Sequence, residues 1–148
     1  MIPRPALILG LSGLLPFLWG VATLLSPGLA QLTLDVIGPR FTGPFVMIAY
    51  GVVILCFMSG VLWGIAARGA ETAWTGYALS VGPALWAFFF VGGGPTQALT
   101  ALITGFVVLL VIDLQFSRWG LTPHWWMPLR LILTSVVVLC LAAGLWLG

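Results

Sequence analysis

Only eight of the 148 side chains carry a formal charge: Arg4, Asp35, Arg40, Arg68, Glu71, Asp113, Arg118 and Arg130. A soluble domain carries about a quarter charged residues, spread over its surface to keep it dissolved. Eight charges cannot do that here, and with 61% hydrophobic residues the chain is not a disordered segment either. What remains is an integral membrane protein.

A spanning helix takes about 20 mostly apolar residues. Five such stretches are visible, at about 6–25, 44–67, 73–91, 96–116 and 128–148, so residues 1–148 read as a single all-α, five-helix transmembrane domain. Ser26-Pro27-Gly28 closes the first stretch, Gly43-Pro44 opens the second, Arg68-Gly69 closes it, and Gly92-Gly93-Gly94-Pro95 separates the third from the fourth. Pro44 and Pro128 suit a first helical turn. Pro16 and Pro83 fall inside spans, where neighbours must satisfy the carbonyl each one frees. In the longest loop, 26–43, the alternation of Gln31, Thr33 and Asp35 with Leu32, Leu34 and Val36 fits a strand or a short interfacial helix, and the pattern does not choose between them. The first apolar stretch, about 20 residues, exceeds the usual core of a signal peptide, so the first helix is expected to be retained.

The arginines set an orientation. The N-terminus and the second and fourth loops hold Arg4, Arg68 and Arg118, with Arg130 one turn into the last span, whereas the opposite side holds Arg40 alone. The positive-inside rule then places the N-terminus inside and the C-terminus outside in a multi-pass membrane protein.

Few residues point to chemistry. There is no basic run and no motif that reads DNA or RNA, so nucleic acid is not an expected partner. Cys56, Cys140 and the single His124 lack metal-ligand spacing, and no metal or cofactor is expected. With no nucleophile motif and three carboxylates in all, no catalytic set emerges.

Asp113 is the most informative residue. It lies three residues before the end of the fourth span, where a carboxylate needs a partner. Arg130, one turn into the fifth span, is the natural one, and Arg118 is a second candidate. Together with Trp63 and His124 these residues form the candidate ligand-binding set. The competing explanation is an Asp–Arg clasp that holds two spans in register, in an interface already rich in Trp and Arg. For packing, Gly60 and Gly64 form a small-xxx-small face beside Ser59, with Tyr50-Gly51 two turns earlier; such faces let helix backbones approach closely, within one chain or between chains.

The same segments resemble a known family. Tyr50-Gly51 followed by Ser59-Gly60-Val61-Leu62-Trp63-Gly64 is similar to its central signature. Leu9-Gly10-Leu11-Ser12-Gly13-Leu14-Leu15-Pro16-Phe17 resembles its opening, Ser80-Val81-Gly82-Pro83-Ala84-Leu85 its third span, and Trp125-Trp126-Met127-Pro128-Leu129-Arg130 with Leu133-Thr134 its closing motif. The family is the transmembrane protein 69-like family, a domain of unknown function of bacterial inner membranes and mitochondria. The resemblance covers nearly the whole chain. It implies a five-span inner-membrane protein and adds weight to Trp63, Asp113 and Arg130, but brings no activity with it. The chain departs from the pattern at Trp126, where a Tyr is expected.

Three functions follow as expectations. The first is a non-enzymatic accessory, assembly or scaffold partner of a larger membrane complex, or a homo-oligomer. The second is a binding protein for a lipid head group or a quinone at the cytoplasmic face. The third, a proton or ion pathway, lacks polar residues on the outer side.

Overall fold

The computed structural model describes residues 1–69 and 74–148, and all regular structure among them is helical. The helices are α1 (Arg4–Ser12), α2 (Leu15–Leu25), α3 (Pro27–Val36), α4 (Gly43–Arg68), α5 (Trp74–Phe90), α6 (Pro95–Arg118) and α7 (Trp126–Leu147), with a 3₁₀ turn at Pro39–Phe41. Among the described residues, four stretches are long and apolar enough to cross a membrane: Arg4–Leu25, Gly43–Arg68, Pro95–Arg118 and Trp126–Leu147. Apolar side chains cover their outer faces as well as their inner ones. Phe57, Val111 and Leu139 all point away from the bundle, as lipid-facing residues do.

The first span is not the single helix expected over 6–25. It breaks at Gly13 and Leu14, leaving α1 and α2 end to end. Pro16 explains the break: it cannot donate to the carbonyl of Ser12, and its ring would crowd that group. At the second residue of α2 the missing N–H costs nothing.

Loop 26–43 is helical rather than extended. Ser26 caps α3 by accepting a hydrogen bond from the Leu29 N–H, and Gln31 bonds Asp35 one turn along. The polar–apolar alternation was thus not a strand. The chain then re-enters the bundle at Gly43, whose φ of 49° suits the turn. Thr23 of α2 accepts the Gly43 N–H at 2.6 Å and donates to the Gly20 carbonyl, so the start of α4 is capped from a neighbouring helix.

Helix α5 has 17 described residues, a rise of about 25 Å, a little less than the hydrocarbon thickness. The first residue of the expected third span, 73, lies outside the described residues, as does Glu71. Next to Pro83, the Ala84 N–H turns to Ser59 of α4 at 2.8 Å, so Ser59 holds α5 where the proline interrupts its ladder. Trp86 ties α5 to α6 through the Ala101 carbonyl.

The core sits among α2, α4, α6 and α7 around Phe17, Met47, Leu55, Leu102, Phe106 and Leu141. Gly51 lies close to α6: a methyl group there would lie 2.9 Å from Leu102. Gly60 and Gly64 do not. Both are exposed with nothing within 4 Å of an added methyl, so no helix of the same chain packs closely there. Their row falls on the face of α4 turned away from α6, because Leu55, Ser59, Leu62 and Ala66 occupy the inward positions.

Candidate functional site

The antiparallel pair of α6 and α7 builds the site. Asp113 lies five residues before the end of α6, about 7.5 Å of helical rise into the structure. Its side chain is fully buried. Arg130, on the second turn of α7, donates from Nε to Asp113 Oδ2 at 2.8 Å. Trp126, one turn earlier on the same face, donates from Nε1 to Asp113 Oδ1 at 3.0 Å. Each carboxylate oxygen thus has its own donor, which is what a buried carboxylate requires.

The guanidinium is only partly used. Arg130 is 5% exposed, yet its Nη2 has no hydrogen-bond partner among the described residues. Neither has the hydroxyl of Thr134, one turn further along α7 and 4% exposed. The Thr122 hydroxyl in the α6–α7 loop is likewise buried and unpartnered, on the wall of a different cavity, whereas several other helix hydroxyls are satisfied. Thr100, Thr104 and Ser135 each turn back to the carbonyl four residues earlier, as helix hydroxyls commonly do. The residues that carry both groups, Arg130 and Thr134, line a cavity of about 430 Å³ between α1, α2, α4, α6 and α7, with the two polar atoms themselves buried just behind its surface. Its remaining wall is apolar apart from Tyr50, and it includes Leu14, Phe17, Phe106 and Val137. Exposed Leu9, Val53 and Phe57 also line it, so it opens sideways onto the apolar exterior.

Two other cavities flank this one. A groove of about 700 Å³ beside Trp19 and Arg40 is larger, but no buried unpartnered polar atom faces it. A cavity of about 610 Å³ lies between Arg68, Thr122, Trp125 and Trp126. Trp126 therefore stands between an outer, more polar space and Asp113, while Arg130 stands between Asp113 and the apolar cavity.

Of the candidate set, the structure brings together Asp113 and Arg130 and leaves the others elsewhere. Arg118 is exposed at the end of α6 and does not pair with Asp113, which is already satisfied from α7. Trp63 is half exposed and sets its ring edge to face against Tyr77 at 4.7 Å. His124 meets the amino group of Met1 at 3.3 Å through Nε2. Three participants were missed. Trp126 reads in sequence as an interfacial anchor, and its partnership with Asp113 depends on the packing of α6 on α7. Thr134 carried a signal, its four-residue spacing from Arg130 on one helical face. Tyr50 was read for packing, and it does pack its ring edge-on to Phe17 at 5.4 Å, but it also walls the cavity. Among the described residues no three His, Cys, Asp or Glu side chains come together as a metal site would need.

The arginines fall at two ends. The start of the chain meets His124 in the α6–α7 loop, and the end of α4 with Arg68 meets the same loop. Arg40 lies at the other end of α4, some 39 Å of helix away.

Comparison with known proteins places this architecture. A family described as "Protein of unknown function (DUF3429)" matches residues 2–146. Transmembrane protein 69 of Xenopus tropicalis is 35% identical over 149 residues, 97% of this chain and 54% of its own length. Transmembrane protein 69 of Mus musculus is 30% identical over 139 residues, 90% of this chain and 52% of its own length. The chain thus spans about half the length of these relatives. No solved structure matches it. With its apolar helices, this likeness makes the chain a multi-pass membrane protein.

Proposed function

The chain belongs to the DUF3429 family, and from that premise we propose that it is a non-enzymatic membrane protein that binds an apolar molecule through a polar head. The observation that carries the reading is the pair of buried, unpartnered groups, Arg130 Nη2 and Thr134 Oγ1, on two residues that wall one apolar cavity. Leaving a buried donor unpaired costs about 1–3 kcal/mol, more for a charged group, and a ligand that accepts from it recovers that cost. Ligand sites are typically apolar cavities of about this size with a few polar groups that fix orientation. In this reading α5 also crosses the membrane, as the third of five spans, and the end that gathers Arg4, Arg68, Arg118 and Arg130 faces the cytoplasm of a bacterial inner membrane.

The test is what stays with the protein. Purified in mild detergent, the wild-type chain is expected to carry an apolar molecule at about one per chain, detected by mass spectrometry of the extracted protein. Thr134→Met, which fills the cavity and removes the hydroxyl, should lose it while unfolding at nearly the same temperature. A wild-type protein that carries nothing and takes up no added amphiphile would sink the proposal.

A second reading, as a self-associating scaffold or an accessory partner in a larger complex, draws on α4. Gly60 and Gly64 leave a shallow face with nothing packed on it, and exposed Cys56 sits one turn before Gly60 on the same row. If two chains meet there, mild oxidation in membranes should link them through Cys56. Gly60→Leu should abolish the link, and an unlinked wild type rules out this contact between copies.

A further inference from the structure

We infer that the cavity beside Arg130 selects a neutral carbonyl-bearing amphiphile and rejects an acid of the same size. The inference rests on the binding reading above and concerns the charge of the ligand.

An arginine on a cavity wall ordinarily points to an anion. Here the arginine is already neutralised. Asp113 takes Nε at 2.8 Å, is fully buried, and has the Trp126 N–H as its second donor. The pair adds no net charge, so a carboxylate or phosphate at Nη2 would bring a second negative charge to a place with one cation. Nothing else in the cavity lining offsets it, since the remaining wall is apolar apart from Thr134 and Tyr50. A buried charge without its own partner is heavily penalised. A cation is excluded by the guanidinium itself.

A neutral carbonyl avoids both penalties. It accepts the spare guanidinium N–H without bringing charge, and the Thr134 hydroxyl, free to donate or accept, can serve a second oxygen one turn along. Its apolar body would lie against Phe17, Phe106 and Val137, and it would enter past Leu9, Val53 and Phe57 from the hydrocarbon. Two membrane-soluble sources carry this chemistry: the ring carbonyls of a quinone and the ester carbonyls of an uncharged glycerolipid.

Competition binding to the full chain in detergent micelles tests the inference with three probes: a decyl-substituted benzoquinone, a diacylglycerol, and oleate in alkaline buffer that keeps it ionised. The wild type should hold one of the two neutral probes at least about tenfold more tightly than oleate. Which of the two it holds identifies the source. Asp113→Asn leaves Arg130 uncompensated, and its preference should reverse toward oleate. Thr134→Val, nearly the same shape as the native residue, should weaken the favoured neutral probe about tenfold, and it keeps the test usable if Asp113→Asn does not fold. A wild type that prefers oleate, or a folded Asp113→Asn with unchanged preference, overturns the inference but leaves a binding protein. Failure to bind any of the three overturns the binding reading as well.

Discussion

Arg130→Met alone is expected to lower stability by about 3–5 kcal/mol, while the double change Asp113→Leu with Arg130→Met recovers most of that loss. The single change leaves the fully buried Asp113 carboxylate with the Trp126 N–H as its one remaining donor. Most of the cost is that stranded charge. The double change removes it and fills the space with apolar side chains, which in buried pairs is often neutral or stabilising. Unfolding of Arg130→Met, Asp113→Leu, the double variant and the wild type in a detergent titration closes the cycle. Equal losses in the single and double variants would show that attraction within the pair, rather than the stranded charge, holds α6 to α7. The double variant also separates the two roles given to Arg130. A chain that folds without the pair but no longer retains its apolar molecule assigns the arginine to binding. A chain that folds and still retains it leaves only the clasp.

The pair itself was readable before any coordinates. Few residues in a spanning segment can neutralise a carboxylate, and Arg130 stands at the matching depth of the next span. The cavity was not readable, for a physical reason. It exists because the first span breaks before Pro16 and lets α1 lean on α7, where a methyl at Gly10 would lie 3.3 Å from Leu133. A proline in a span says that the helix is disturbed, but not which neighbours the displaced segment finds. The glycines teach the same lesson. A small-xxx-small row is visible in Gly60 and Gly64, yet sequence cannot say which side of α4 faces the bundle. Of the glycines at which helices do meet, Gly20, Gly51, Gly105 and Gly144, only Gly105 has a small residue four positions before it in its own helix, Ala101, and all four are met by side chains of other helices. In loop 26–43 the pattern left strand and short helix open, because a ten-residue helix can carry alternating polarity when only Thr33 of it is buried.

Gly20→Ala is the second large effect expected, a loss of about 1–3 kcal/mol from overpacking, and Met47→Ala should suppress it. A methyl group at Gly20 would lie 2.5 Å from Met47 Cγ and 3.0 Å from the Gly43 carbonyl oxygen. Met47 is fully buried, with its Cε 2.7 Å from where a methyl at Gly144 would stand, so its chain is held from both ends and cannot swing clear. Met47→Ala by itself should cost about 2–5 kcal/mol as a cavity in the core. In the double variant the two defects partly cancel, because the added methyl enters space that the methionine vacates. The Gly43 carbonyl limits the cancellation: backbone at the start of α4 is capped by Thr23 and gives way less readily than a side chain. The combined loss should therefore fall at least about 1 kcal/mol short of the sum of the single losses. Strict additivity in detergent unfolding would mean that α2 and α4 do not meet at Gly20, and the wall of the Arg130 cavity built on Phe17 one turn away would have to be redrawn.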